Sequence, residues 1–330
     1  MARPKILIAY AKDDRQFVPE QRERLRAFAE LVENPHDRPL TDEERLAYIR
    51  DVHGVALGRT GKGLTPDVID AAEQLKVVGL IGSSVKSLSP EYAMDKGITI
   101  FNTASGFGRA VAEYAVALMF LGTRDIHYFA SRMETERWPK PRRDHYDISG
   151  KTVGLIGLGA VGRHTAEMLR GFRVNLLVYD PYVKEDVLAQ IGARSVDLET
   201  LLKESHIVSV HCGKTEETNN MIGGPQLDML RENAVLVNTA RGAVIDEQAL
   251  AERLPERRFI ACLNVFHKEP LAEDSPLRGH WNCILTPHGG GKTVDAYRRN
   301  SELLVDGFIR FFKGETPEGV VRREQLARMT

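Results

Sequence analysis

The sequence predicts an α/β protein made of two units, each a doubly wound parallel sheet. Three observations carry this. Short apolar runs alternate with helical patterns from residue 5 to residue 102. A glycine-rich turn at 157–162 joins an apolar run to a helical pattern. A second alternation begins at Lys151 and adds strand-type runs up to residue 286. Strands that alternate with helices need crossover connections, and such connections produce parallel sheets. At 330 residues the chain is long enough for two domains with well-buried cores.

In order, Lys5-Ile-Leu-Ile-Ala-Tyr10 reads as a first buried strand, and residues 17–33 as a helix ended by Pro35 and Pro39. Thr41-Asp-Glu-Glu44 is a capping-box pattern. Val52–Leu57 returns to strand, Thr65-Pro66 opens a helix with proline in its first turn, and Lys76–Gly82 is the next strand. Ser89-Pro90 starts another helix, and the strand Ile98–Asn102 follows. Residues 109–124 read as a long, mostly apolar helix, and 138–146 as a polar loop in which Trp138 covers the surface of the second unit. In the second alternation, strands are expected at 152–157, 174–179, 206–211, 234–239, 259–265 and 282–286. A long amphipathic helix spans 293–313.

The stretch Thr152-Val-Gly-Leu-Ile-Gly157-Leu-Gly159-Ala160-Val161-Gly162 has the build of a dinucleotide site. Gly157 permits the tight turn, Gly159 lets backbone approach a pyrophosphate, and Gly162 lets helix and strand lie close. The helix N-terminus then faces the phosphates with free N–H groups. Val174–Tyr179 reads as the next strand and ends in Asp180, about twenty residues on, where a carboxylate binds the adenosine ribose hydroxyls. A carboxylate there repels a 2′-phosphate, and Pro181-Tyr182-Val183 offers no arginine to hold one. The expected cofactor is therefore NAD and not NADP.

Formal net charge is −1 with no block of like charge, so neither nucleic acid nor an anionic membrane is an expected partner. The apolar run 115–121 is too short to span a bilayer, and the N-terminus leads into a strand and not a signal peptide. Cys212, Cys262 and Cys283 are widely spaced in strand-like segments and read as buried free thiols. No metal site is indicated, and a reducing cytoplasm is the expected location.

The chain resembles the D-isomer-specific 2-hydroxyacid dehydrogenase family. The resemblance rests on Gly157–Gly162 with Asp180, His211-Cys-Gly-Lys-Thr215-Glu-Glu-Thr218, Val237-Asn-Thr239-Ala240-Arg241-Gly-Ala-Val-Ile-Asp246, Asn264-Val-Phe-His-Lys-Glu269-Pro-Leu, and Thr286-Pro-His288-Gly-Gly290-Gly291. It implies two Rossmann-like domains, with the cofactor domain (108–291) inserted in a flavodoxin-like substrate domain (1–107 plus 292–330). It also implies a homodimer to which the helix near residue 110 contributes. The family's catalytic trio falls on Arg241, Glu269 and His288. Arginine forks two N–H groups onto a carboxylate and carbonyl, histidine exchanges a proton near neutral pH, and a glutamate beside it favours the imidazolium. The cofactor contacts implied are Gly157, Gly159, Ala160, Val161, Gly162, Asp180, His211, Thr215, Thr239, Ala240, Arg241, Asn264, His288, Gly290 and Gly291.

On the substrate side, the turn Gly82-Ser83-Ser84-Val85-Lys86 resembles the family's carboxylate-binding loop, and Arg59 matches a position that contacts the substrate's distal group. Arg241 and His288 complete that set. Were Arg59, Lys62 and Lys86 to face the cleft, the substrate would carry a second negative charge, as phosphorylated, phosphonate or dicarboxylic acids do, and a small acid such as glycerate would fit as well. Solvated loop charges are the other reading of both lysines. Asn264 stands where the family usually has Asp, which removes a carboxylate near His288 and shifts the expected pH profile. His211-Cys-Gly-Lys replaces the usual His-x-Pro-Leu, and Phe107 sits where many relatives have Asn. Two other readings use the same scaffold. One is an NAD(H)-sensing, corepressor-like binding protein. The other takes formate or phosphite as donor, which the intact trio disfavours.

Overall fold

A computed structural model of the chain describes residues 3–12, 14–58, 63–256 and 258–328. Arg59 and Lys62 lie outside the described residues. The chain divides into two compact units, Met1–Phe107 with Lys292–Thr330, and Gly108–Gly291.

The first unit opens with β1 (Lys5–Ile8), α1 (Pro19–Phe28), β2 (Glu30–Glu33), α2 (Asp42–Tyr48), β3 (Gly54–Leu57), α3 (Pro66–Asp70), β4 (Val77–Leu80), α4 (Pro90–Asp95) and β5 (Thr99–Asn102). Its five strands are parallel in the order β2-β1-β3-β4-β5, the flavodoxin-type winding. The Thr41 capping box is present, with Thr41 accepting from the Glu44 N–H and Glu44 accepting from the Thr41 N–H. One expectation is corrected. The helix read over 17–33 ends at Phe28, and Glu30–Glu33 pairs along β1 as an edge strand. Its Glu-Leu-Val-Glu sequence is too short and too polar at its ends to stand out beside a helical pattern.

The chain then passes through α5 (Ala104–Arg124) and α6 (Ile126–Arg132) into β6 (Thr152–Ile156), α7 (Ala160–Leu169), β7 (Asn175–Tyr179), α8 (Glu185–Ile191), β8 (Ala193–Ser195), α9 (Leu198–Glu204) and β9 (Ile207–Val210). It continues with α10 (Gly224–Asp228), β10 (Ala234–Asn238), α11 (Glu247–Arg253), β11 (Phe259–Leu263) and β12 (Cys283–Leu285). The seven parallel strands run β12-β11-β10-β9-β6-β7-β8. The order reverses between β6 and β9, which is the switch point where doubly wound sheets bind ligands. Side chains alternate between two cores. Val235 and Val237 of β10 enter one, and Ala234 and Leu236 the other.

The apolar run at 115–121 belongs to a longer helix than the sequence suggested. By length and composition, α5 is long and apolar enough to cross a membrane. Its Ala112, Ala115, Leu118 and Met119 are buried, and Gly122 brings it directly onto Val235 and Cys262 of the sheet, so this face is occupied by protein. Trp138 does not cover a surface as expected; it stands 81% exposed.

α12 (Val294–Phe312) returns to the first unit. Its buried residues Ala296, Asn300, Ser301, Leu304, Val305 and Phe308 recur at helical spacing. Phe308 meets Phe101 edge to face at 5.3 Å and sits over Gly79 of β4, where a Cβ would come within 3.0 Å of its ring. A rigid socket of this kind cannot collapse around a smaller side chain. Phe308→Ala should cost about 3–5 kcal/mol, read from the urea midpoint at unchanged m-value. A cost below about 1 kcal/mol would show that the socket does relax.

Candidate active site

The glycine loop sits at the end of β6. Gly157 has φ +93°, and a Cβ there would stand 2.7 Å from the Cys212 backbone N. A Cβ on Gly162 would lie 2.4 Å from the Gly157 carbonyl oxygen, so α7 can rest on its loop only with glycine at that position. Gly159, by contrast, faces open space, with nothing within 4 Å of its Cβ direction. It is exposed, as is Ala160, and Val161 is half-buried in the same first turn of α7. This leaves a cradle of backbone N–H groups shaped for a pyrophosphate. Asp180 closes the loop from β7: one carboxylate oxygen accepts from the Leu158 N–H at 2.7 Å and the other from the Tyr182 N–H at 2.9 Å.

Further around the same sheet end, His211 follows β9 with both ring nitrogens shut off from solvent and unpartnered among the described residues. Burial pushes its pKa down to about 4, so the imidazole is neutral at ordinary pH. Thr215 is fixed by reciprocal bonds with Thr218: its N–H donates to the Thr218 Oγ1 at 2.8 Å, and its own Oγ1 accepts from the Thr218 N–H at 3.2 Å. Thr239 is buried, and its Oγ1 has no partner among the described residues. An orphaned hydroxyl and a shielded, neutral imidazole at the ligand-facing end of a sheet fit a bound dinucleotide that would complete them.

Two buried asparagines shape the segments that carry Arg241 and His288. Asn238, at the end of β10, accepts from the Ala240 N–H at 3.0 Å and donates to the Arg241 carbonyl at 3.0 Å. It thereby folds the turn that carries Arg241. The sequence motif contains Asn238, yet nothing in it marked that residue for a role. Asn264 does the same for His288. Its Nδ2 donates to Thr286 Oγ1 at 2.9 Å, its Oδ1 accepts from the Gly290 N–H at 3.3 Å, and its backbone carbonyl accepts from the His288 N–H at 2.8 Å. His288 itself adopts φ +42°, a left-handed conformation uncommon outside glycine. Gly290 and Gly291 end this unit.

Glu269 and His288 meet directly, with Glu269 Oε2 2.6 Å from His288 Nδ1. The other carboxylate oxygen accepts from the Phe266 N–H at 3.0 Å. A carboxylate can only accept here, so Nδ1 carries the hydrogen and Nε2 is left to exchange a proton. Both side chains are about a third exposed (32% and 35%), open enough for a ligand to reach. Arg241 lies on the neighbouring segment, and its Nη1 donates to the Ala240 carbonyl at 2.8 Å. Gly242 presses that segment against the Glu269 loop, since a Cβ at Gly242 would fall 2.0 Å from the Phe266 carbonyl carbon. In the first unit, Ser83 is half-buried and Ser84 exposed in the turn after β4, with Lys86 exposed beside them.

The three cysteines are free. Burial pushes Cys212 and Cys283 up to about 12, with Asp180 adding to the effect at Cys212, and raises Cys262 as well. They remain protonated thiols with no nucleophilic part in the site. Among the described residues no cluster of His, Cys, Asp and Glu could hold a metal ion.

A switch-point glycine loop beside an ordered Glu–His pair is the build of a dinucleotide-dependent oxidoreductase. The family profile of the D-isomer specific 2-hydroxyacid dehydrogenase NAD binding domain matches residues 116–290. The chain is 35% identical to the glyoxylate reductase of Thermofilum pendens over 99% of this chain and 96% of that protein. It is also 35% identical to the D-3-phosphoglycerate dehydrogenase of Methanocaldococcus jannaschii, over 87% of this chain but 55% of that longer protein. The crystal structure of the PH0520 protein from Pyrococcus horikoshii OT3 superposes with a TM-score of 0.83 at 28% identity, covering 98% and 97% of the two chains. The chain belongs to the D-isomer specific 2-hydroxyacid dehydrogenases, oxidoreductases that use NAD.

Two predictions follow from this geometry. His211 has a folded pKa below its unfolded value, so the unfolded chain binds the extra proton. Stability is then full above pH ~6.5 and falls as pH drops toward the folded value, by roughly 3 kcal/mol at about pH 4. His211→Gln should flatten that part of the stability–pH curve, measured by urea unfolding; an unchanged slope would refute it. Asn264→Asp removes the donor to Thr286 and places a carboxylate in the His288 turn. The basic limb of the pH–rate profile for keto-acid reduction should move to higher pH, because a carboxylate favours the protonated imidazole. An unmoved curve would contradict this.

Proposed function

We propose that this protein interconverts a 2-keto acid and a D-2-hydroxy acid, with His288 as acid–base, Glu269 orienting it and Arg241 binding the substrate carboxylate. The observation that carries the reading is the 2.6 Å contact between Glu269 and His288 Nδ1, which fixes the imidazole's tautomer. Bound NADH supplies the hydride that arrives at the substrate's C2. As it arrives, the carbonyl oxygen gains negative charge, and the His288 Nε2–H donates the proton that makes it a hydroxyl. In the reverse direction Nε2 accepts that proton. Glu269 stabilises the imidazolium that must be present before each reduction. The Arg241 guanidinium forks onto the carboxylate and carbonyl, aligning C2 and countering the developing charge.

Asp180 supports a preference for NADH over NADPH, since it would lie against a 2′-phosphate. The proposed substrate class is a keto acid with a second negative charge. Lys86 supports this from the same turn as Ser83 and Ser84, the proposed anion-binding backbone. The proposed assembly is a homodimer using α5. Three free thiols support a reducing location such as the cytoplasm.

The test is NADH oxidation with a panel running from glyoxylate, pyruvate and hydroxypyruvate to oxaloacetate and phosphohydroxypyruvate. Preference for the dianions is expected. Preference for small monoanions would make the lysines solvated charges. No turnover with intact NADH binding would favour the sensing protein instead. His288→Asn should lower kcat about 10²–10⁴-fold while NADH still binds.

A further inference from the structure

The loop that carries Glu269 leaves β11 at Leu263, and residues 267–270 are exposed. Its order comes from a second segment, 242–247, which follows Arg241 and starts α11. Three contacts join the two. Gly242 abuts the Phe266 carbonyl and lies 2.4 Å, at its Cβ direction, from the His267 N. The His267 N–H donates to Glu247 Oε1 at 2.6 Å. The His267 ring returns the contact, with Nε2 2.9 Å from the Ile245 carbonyl oxygen. A carbonyl only accepts, so Nε2 carries the hydrogen, and the bond survives whether or not Nδ1 is protonated. Glu247 is not needed to finish its helix. Asp246 already caps α11, accepting from the Gln248 and Ala249 N–H groups at 3.0 Å each.

We infer that Glu247 and His267 are a reciprocal clasp of positioning residues that holds Glu269 on His288 and ties the Arg241 segment to the same frame. The inference rests on the reading of Glu269 and His288 as the acid–base pair. The Phe266 N–H, one residue from the clasp, holds Glu269 Oε1, so slack at His267 passes directly to the carboxylate. A displacement of about 1 Å at such a contact is enough to be felt in rate.

The experiment compares Glu247→Ala, Glu247→Gln, His267→Ala and His267→Gln in the intact enzyme, with Glu269→Gln as reference. It records pH–rate profiles for reduction, KM, NADH affinity and urea midpoints. Both alanine variants should lose roughly tenfold in kcat, with little change in KM or NADH affinity. The basic limb should move to lower pH as Glu269 drifts from the imidazole. The glutamine variants should restore both, since an amide oxygen still accepts from the His267 N–H and an amide nitrogen still donates to Ile245. If Glu269→Gln moves the limb and the alanine variants do not, the clasp is only structural and the inference is overturned. The same holds if Glu247→Gln moves the limb as far as Glu247→Ala, because the cause would then be charge and not position. If Glu269→Gln leaves the limb in place, the acid–base reading fails and takes the inference with it.

Discussion

A parallel sheet ends with backbone groups that the next strand cannot satisfy, and the candidate site is built where two such ends are tied off by buried amides. Asn238 and Asn264 stand at the ends of adjacent strands, joined by the Asn264 N–H donating to the Asn238 carbonyl at 2.9 Å. Each amide uses its donor and acceptor ends on opposite sides of a tight turn. One turn carries Arg241 and the other His288. The His288 turn needs this most, because a left-handed backbone at a residue with a Cβ costs of order 1–3 kcal/mol and persists only where its surroundings over-determine it. Thr286 completes the arrangement: its hydroxyl donates to the Leu263 carbonyl at 3.1 Å and so presents its lone pairs to the Asn264 amide. A carboxylate at residue 264 could not donate to that oxygen. Asparagine thus fits the local bonding more fully than an aspartate would, at the loss of one negative charge in the turn that carries His288.

Close backbone contact is the second constraint, and it acts twice at the same sheet end. The glycine loop leans on the Cys212 backbone next to His211, and Gly242 leans on Phe266. Neither contact leaves room for a methyl group. These segments are therefore held by main-chain contact at glycine, with no side chain between the facing backbones. Shielded groups beside the glycine loop, the neutral His211 and the protonated Cys212, keep stray charge away from it.

Much of the fold was legible because strand–helix alternation, proline at helix starts and the glycine fingerprint each have a local cause. The strands at β6, β7, β9, β10, β11 and β12 fall within a residue or two of their expected bounds. Two short strands were not legible. β2 directly follows a helix, and β8 is only three residues long, with Arg194 and Ser195 exposed. Residues 126–132 form α6, whose Asp125 is wholly buried by Arg143 and His145, a contact reaching eighteen to twenty residues ahead that no local pattern announces. The same reason hid the clasp at the site. Glu247 and His267 are twenty residues apart and look like ordinary surface residues of a helix start and a loop. The Glu269–His288 contact was expected from the motifs that carry the two residues. That Asn264 is bonded at both ends of its amide could not.

The geometry at Asp180 bears on how far cofactor choice can be separated from cofactor-loop order. One of its oxygens holds the Leu158 N–H inside the glycine loop, and the other holds the Tyr182 N–H that begins the next turn. Each carboxylate oxygen has lone pairs beyond these bonds, so both can also receive a ribose hydroxyl. The charge proposed to exclude a 2′-phosphate is therefore the charge that tightens the loop for the pyrophosphate. Replacing Asp180 with a small neutral residue would admit the phosphate and loosen Leu158 together. An arginine added farther along, at Tyr182 or Val183, could not restore that bond, because arginine has no acceptor to offer the Leu158 N–H. In this chain, the proposed selectivity for NAD and the order of the glycine loop rest on one carboxylate, and a change of cofactor would need a new acceptor for Leu158 as well as a new cation.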